Sequence, residues 1–322
     1  MFIKTKDDYS GILHTANHLE FSRLQPHFNA IQKSLIVNIF GLDFITALDT
    51  RYNTTNPNPA LSAEELYLID NLKTAIACLG FVKAIPQLLI VVMGTGMQQA
   101  GAKPVYEWQK LTVQDEILET GWNAVGSAIQ YLWAKRNDSK FTAWKDSAAE
   151  KKSRQYLLNS ASDFNNCFQI AYSTRTYEAL KPSLKEANRI VNSVIGDALY
   201  NEIKTQNIGF NISSNNQYLL DNYIYDTLAQ LTISIAIYKL ELVYNEEGAR
   251  VISQPASKTT QRAKSAASEN TKKETATSFI ESGNAYLSEL AQYLAANVST
   301  YPLYTPTLNS STTNSAGGVC VL

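Results

Sequence analysis

Chemistry in this chain would have to start from three histidines, three cysteines and a scatter of paired carboxylates. His14 and His18 lie four apart, a spacing that sets two imidazoles on one helix face, as in a zinc-binding helix. The glutamate of the HExxH pattern is missing, and no cysteine or carboxylate cluster flanks the pair. Both therefore read as surface histidines. Gly94-Thr95-Gly96 follows a strand-like run, as a phosphate loop would. The third glycine spacing is wrong, no Gly-Lys-Ser/Thr follows, and no βαβ pattern continues, so a hairpin turn is expected. Asp7/Asp8, Glu64/Glu65 and Glu246/Glu247 fall in loops or at helix starts, where acid is favoured, and nothing sets two of them across a cleft. Cys167 as a nucleophile needs a base, but the histidines all lie in the other half of the chain. It reads as a small buried hydrophobe. No Gly-x-Ser-x-Gly elbow and no Ser/His/Asp order is found. The expectation is a protein that is not an enzyme, with no catalytic, cofactor-binding or metal-binding residues and no cofactor.

Two polar patterns remain. Tyr67-Leu-Ile-Asp-Asn71 is repeated as Tyr218-Leu-Leu-Asp-Asn222. On helices, Asp70 and Asp221 would bond a neighbouring element, a polar packing that both copies need. The segment Gln254–Thr277 is rich in Ser, Thr, Ala and Lys and carries Lys258, Arg262, Lys264, Lys272 and Lys273. It could touch DNA or an acidic partner, but it lacks the interleaved aromatics of a nucleic-acid surface and reads rather as a solvated, flexible loop.

Composition bounds the rest. At 322 residues, 45% hydrophobic and 18% charged, the chain has room for two domains and does not fit a disordered protein. A net charge of −1 gives no global drive toward nucleic acid or anionic membrane. Eighteen tyrosines suit surfaces that are apolar at one end and wet at the other. Cys78, Cys167 and Cys320 are distant and odd in number, so no disulfide framework is expected. The start MFIKTKDDYSG has no apolar core, so no secretory signal is expected. The most apolar run, Ile76–Met93, holds Lys83, Pro86 and Gln87 and reads as a buried helix plus a strand rather than a membrane span. The ending GVCVL is not a prenylation box.

Periodicity supplies the elements that position these residues. Phe28, Ile31, Leu35, Ile36 and Ile39 recur at helical spacing, with Pro26 expected in the first turn and Gly41 as a break. Ser62 with Glu65 forms a capping-box pattern opening a helix through Leu68, Leu72, Ile76, Leu79 and Val82. Leu88–Met93 and the glycines after it read as a small hairpin. A long helix follows over about Tyr106–Ala134, then a short aromatic anchor, Phe141–Trp144.

The second half repeats this order. Pro26 matches Pro182, Gly41 matches Gly196, and Tyr67–Asn71 matches Tyr218–Asn222. Gly96 matches Gly248, Ile117–Gly121 matches Phe279–Gly283, Tyr131-Leu132 matches Tyr293-Leu294, and Phe141–Trp144 matches Tyr301–Tyr304. Seven anchors in one order argue for tandem duplication rather than a solenoid of short units. The expected fold is mainly α, with two tandem homologous helical domains, each carrying a small β-hairpin. Domain 1 is residues 1–150 and domain 2 is 151–304, with the flexible loop 254–277. Residues 305–322 form an extended C-terminal tail. Pro182 reads as a helix-start marker and Gly196 as a corner between packed helices.

Met1-Phe-Ile-Lys-Thr5, the two Leu-x-Pro helices with their glycine breaks, Phe141-Thr-Ala-Trp144-Lys-Asp-Ser147 and Tyr301–Tyr304 together resemble a family of uncharacterised structural proteins of tailed phages and prophages of Bacteroidota. The resemblance runs to about residue 308 and carries no catalytic residues. The short helices with a hairpin also look like head–tail connector adaptors, small helical proteins that form a ring, commonly of twelve copies, beneath the portal. The resemblance implies a non-enzymatic virion protein at the head–tail interface, made in the bacterial host cytoplasm. Its partners would be copies of itself in a homo-oligomeric ring, the portal protein, and tail or neck proteins, with DNA passing through the lumen and no membrane involved. Contacts would fall to exposed Tyr and Trp, the loops near 94–104 and 245–253, and the tail. Other virion roles (internal cargo, minor capsid or tail protein) and a host-side helical protein-binding module are the alternatives.

Overall fold

The structure is a computed structural model describing residues 1–14, 19–57, 59–88, 90–93, 96–99, 107–240, 242–245, 248–251 and 269–305. It is mainly helical and divides into two compact units. Among the described residues, the first unit holds those of Met1–Ser153 together with Ala171–Glu178, and the second holds those of Arg154–Ile170, Ala179–Val251 and Ala267–Leu322.

The first unit begins with α1 (Asp7–Ser10) and α2 (Phe21–Ile31). Leu24, Phe28 and Ile31 of α2 are buried at helical spacing. Pro26 lies inside α2, past the expected first turn. A π turn over Gln32–Ile36 leads into α3 (Val37–Phe40), Gly41 makes a corner, and α4 is Leu42–Asn53. The long α5 (Ala63–Leu88) opens on the expected capping box, in which Glu65 N–H donates to Ser62 Oγ at 3.3 Å and Ser62 N–H donates to Glu65 Oε2 at 2.9 Å. Strands β1 (Ile90–Met93) and β2 (Gly96–Gln99) pair antiparallel, and the residues between them lie outside the described ones. Then come α6 (Glu107–Ala134), α7 (Thr142–Lys145) and α8 (Ala148–Ser153). Phe141 and Trp144 are each 1% exposed. Residues 171–178 belong with this unit: Arg175 Nη1 lies 3.4 Å from Glu119 Oε1 and 3.8 Å from Asp115 Oδ1 of α6.

The second unit opens with α9 (Ala161–Cys167), capped by Ser160, whose hydroxyl accepts from Asp163 N–H at 3.0 Å. Next is α10 (Thr174–Ile195), whose first turn counts with unit 1. It starts where Ser173 Oγ accepts from Thr176 N–H at 3.2 Å, so Pro182 lies well inside α10 rather than marking its start. The missing proline N–H costs one helical bond, which the buried stripe Tyr177, Leu180, Leu184, Ala187 and Val191 outweighs. Gly196 turns the chain into α11 (Asp197–Gly209). Then α12 (Ser214–Leu219), a π turn over Leu220–Ile224 and α13 (Tyr225–Lys239) form one continuous run. Strands β3 (Leu242–Asn245) and β4 (Gly248–Val251) pair antiparallel, and α14 (Glu269–Ala296) is the last helix.

The expected loop 254–277 is thus helical from Glu269 onward. Buried Ala276 extends the apolar stripe of Leu287, Leu290 and Leu294 toward the N-terminus of α14. Residues 252–268 and the expected tail from 306 onward lie outside the described residues.

The two units repeat one another closely. Helices α6 and α14 are both 28 residues long. The two strand pairs share one register, Met93 facing Gly96 as Asn245 faces Gly248. Gly41 (φ 91°, ψ 142°) and Gly196 (φ 84°, ψ 150°) share a conformation that L side chains rarely adopt. Each donates its N–H to the residue four back at 2.9 Å and accepts from the residue four ahead, which makes each the hinge of a helical corner. A Cβ built on Gly121 would sit 2.9 Å from Leu79 Cγ, and one on Gly283 would sit 2.9 Å from Leu231 Cγ. In both units the last long helix therefore crosses its neighbour at a glycine.

The π turns stand where the copies differ in length. Unit 1 has fifteen residue steps from Pro26 to Gly41, whereas unit 2 has fourteen from Pro182 to Gly196; the π turn at Gln32–Ile36 is in the longer copy. Likewise, twelve steps separate Tyr67 from Leu79 but thirteen separate Tyr218 from Leu231, and that longer copy contains the π turn at Leu220–Ile224. A π turn closes i→i+5 instead of i→i+4 and so holds one extra residue without rotating the helix beyond it. Each turn marks a single-residue difference between the copies that leaves both flanking anchors in place.

Candidate interaction surface

One surface feature is built the same way in both units. Tyr67 lies on the first turns of α5, set by the Ser62 cap, and its ring centroid is 4.6 Å from that of Tyr131 on α6. Phe141 stands edge-on to Tyr131 at 6.5 Å. In the second unit Ser213 caps α12, accepting from Asn216 N–H at 3.3 Å, and places Tyr218 5.4 Å from Tyr293 of α14. Tyr301 stands edge-on to Tyr293 at 6.1 Å. Both trios come from equivalent positions. Tyr67 and Tyr218 remain 44% exposed, so each unit presents a tyrosine ledge resting on a buried aromatic foot.

The second ledge is larger. Tyr223 joins it, 6.3 Å from Tyr218 and 5.3 Å from Tyr293. Burial, together with the neighbouring Tyr218, Tyr293 and Glu289, pushes the Tyr223 phenol above its ordinary range. Burial and the hydrogen bond with Tyr293 do the same for Tyr301, whose hydroxyl donates to Asn215 O at 3.0 Å. Tyr223 and Tyr301 therefore stay neutral at physiological pH.

Asp70 and Asp221 make no hydrogen bond to a neighbouring element among the described residues. Both are exposed. Asp221 accepts from Gln217 Nε2 at 2.7 Å on its own helical run. The asparagines of the repeated pattern also turn inward on their own helices, Asn71 Nδ2 to Tyr67 O at 2.9 Å and Asn222 Nδ2 to Tyr218 O at 2.8 Å. The packing of the pattern is done by Leu68 and Leu219, which are buried, and by the tyrosine rings.

The residues singled out for chemistry are dispersed. His14 is exposed and His18 lies outside the described residues. Buried His27 pairs with Gln87 at 3.0 Å. Glu65 is 7% exposed rather than solvated, held by Arg51 Nε at 2.7 Å and by the capping box. Burial, reinforced by Asp226, Asp163 and Asp221, pushes the Cys167 thiol up to about 12, and burial takes Cys78 to about 11. Neither presents a thiolate at neutral pH. Asp163, expected in no role, is pushed up by burial while the Ser160 hydroxyl, donating at 2.8 Å, pulls it back. Asp8 is a partly buried acid whose burial alone would raise it, but Lys73 at 2.7 Å and the N–H groups of Lys4 and Thr5 bring it down to about 2. Among the described residues, no group of three His, Cys, Asp or Glu is arranged to hold a metal ion, and no helix is long and apolar enough to cross a membrane. Gly94 and Cys320 lie outside the described residues.

What periodicity missed were the serine caps Ser160, Ser173 and Ser213, each legible only as a Ser three residues before the N–H it accepts. No match was found among curated proteins or among solved structures. One family matches the chain twice, over residues 36–154 and 191–314. The two matched stretches contain the two glycine corners, both strand pairs and both tyrosine ledges, and together they span most of the sequence. The chain belongs to the family of unknown function DUF6712, with two copies of the family's unit in tandem.

Proposed function

We propose that the protein is a non-enzymatic structural protein of a tailed-phage particle, an adaptor in the neck between portal and tail. In this reading, copies assemble head-to-tail into a homo-oligomeric ring that docks on the portal, receives tail or neck proteins, and leaves a lumen for DNA. The observation that carries the reading is the duplicated unit, which presents an exposed tyrosine ledge and a two-stranded sheet at the same place in each copy. Exposed tyrosines resting on buried aromatics are well suited to protein contacts, and two-stranded sheets offer backbone edges to a neighbour. A heterologous contact between copies closes into a ring when the rotation it imposes closes. The phage setting rests on the sequence resemblance.

Native mass spectrometry and negative-stain imaging of the purified chain, alone and with a purified portal protein, test this. A closed ring that binds portal is expected. A chain that stays monomeric at high concentration and ignores portal would overturn the reading.

A further inference from the structure

Duplication within one chain shows which residues two diverged copies have kept. Over residues 63–71 and their counterparts 214–222, the sequences agree only at Tyr67/Tyr218, Leu68/Leu219, Asp70/Asp221 and Asn71/Asn222. Packing accounts for the buried leucines and for one face of each tyrosine ring. Each asparagine bonds a carbonyl of its own helix, a local bond that adds little. Asp70 and Asp221 have no such account. Both are exposed, and both lie beyond the first helical turn, where the helix dipole no longer rewards an acid. The bond from Gln217 to Asp221 has no counterpart in unit 1, where Leu66 takes the equivalent place. A carboxylate kept in both copies, without a shared partner among the described residues, points to a partner outside them.

The chemistry of that partner can be read from the groups beside the carboxylate. Residues three apart on an α-helix are surface neighbours, roughly 5–6 Å between Cβ atoms, which places Asp70 beside Tyr67; Asp221 stands at the start of the π turn, on the same helical run as Tyr218. Each site therefore offers the open face of a tyrosine next to an exposed carboxylate. A guanidinium suits both at once, stacking flat on the ring and donating two N–H groups to the carboxylate. Around the second site the sign matches, with Glu289 near Tyr223; at the first, Glu64 lies one turn before Tyr67 but is paired with Lys140 at 3.4 Å, so the charge there is carried by Asp70 itself. We propose that Tyr67–Asp70 and Tyr218–Asp221 are two equivalent docking points for arginine side chains of a protein partner. The inference is independent of the ring reading, since it concerns single side chains on each unit.

The test uses the full chain, with N-acetyl tetra-arginine amide as probe and tetraglutamate as control. Tyrosine ring resonances follow binding, and thermal melting checks the fold. Tetra-arginine is expected to shift the Tyr67 and Tyr218 signals. The double variant Asp70→Asn, Asp221→Asn should weaken binding about fivefold with an unchanged melting temperature. Glu281→Gln, which removes an exposed charge elsewhere on α14, should leave binding unchanged. Binding that survives the double variant, that falls equally in Glu281→Gln, or that shifts neither tyrosine would overturn the proposal. A drop in melting temperature in the double variant would also overturn it, because it would show that the two acids are kept for stability.

Discussion

Deleting Asn222 should cost far less than deleting Asn71, although the two asparagines are equivalent. Asn222 lies in the π turn of the second unit, and Asn71 lies in the unbroken α5 of the first. Removing one residue from an α-helix rotates everything beyond it by about 100° and draws it back about 1.5 Å. In α5 that would swing Leu72, Ile76 and Leu79 off the core, all of them 5% exposed or less. At about 1.5–3 kcal/mol for each side chain, the loss is roughly 5–9 kcal/mol, comparable with the whole stability of a domain. Removing Asn222 instead turns an i→i+5 turn into an i→i+4 turn and leaves Leu228, Leu231 and Tyr218 facing their present partners. That deletion should cost less than about 1.5 kcal/mol, chiefly the loss of a local bond and small adjustments. All four tryptophans, 108, 122, 133 and 144, belong to the first unit, so urea unfolding followed by fluorescence reports on the Asn71 deletion. Hydrogen exchange over 225–239 reports on the Asn222 deletion. Equal losses in the two variants would refute the idea that the π turn stores a removable residue.

Further perturbations separate the other devices. Gly41→Ala should cost about 3 kcal/mol and Gly196→Ala about 2, measured by urea unfolding. Both pay for a left-handed φ, but a Cβ on Gly41 meets the rigid Ser147 Cβ at 2.8 Å, while one on Gly196 meets the hydroxyl of Thr305 at 2.7 Å. Ser147→Gly should recover about 1 kcal/mol of the Gly41→Ala loss and none of the Gly196→Ala loss. The depressed Asp8 carboxyl contributes stability that is complete above its ordinary value of 3.8 and disappears as pH falls through about 2. Melting temperatures between pH 5 and 2 should show that loss, worth about 1 kcal/mol after solvent screening, and Lys73→Met should flatten it. In a Cys320→Ser background, a thiol reagent at pH 8 should label neither Cys78 nor Cys167 until urea unfolds the chain.

Periodicity was a good guide wherever an element is decided by its own burial pattern. The α5 start was readable because Ser62 and Glu65 satisfy each other's backbone, a local matter. The α6 span and the Phe141–Trp144 anchor were readable because their apolar residues recur at core spacing. The α10 start was not, because a proline draws the eye as a boundary while the helix is decided by Ser173 and by a buried stripe on both sides of Pro182. The first turns of α14 were hidden by a Ser/Thr/Lys composition in which, among the described residues, Ala276 is the buried one. On the ledge, the repeated tyrosines and aspartates were visible as a pattern. Their direction was not, since an i, i+3 spacing fixes a shared face but not whether that face looks inward or out. The π turns left a trace in the sequence only as one-residue drifts between anchor pairs, which become readable when the structure shows where the extra residue sits.

The order in which the units use the chain has a consequence for synthesis. Residues 154–170 belong to the second unit, yet they leave the ribosome before 171–178, which the first unit needs to pair Arg175 with Glu119 and Asp115 on α6. The first unit therefore gains this ion pair only after part of the second unit has emerged. Asn159 and Asn207, which bond at 3.0 Å, are then separated by more than forty residues of later translation. A chain of this kind matures as an overlap rather than a relay. A gene cut cleanly between the repeats would give an N-terminal product lacking the arginine that closes against its own longest helix.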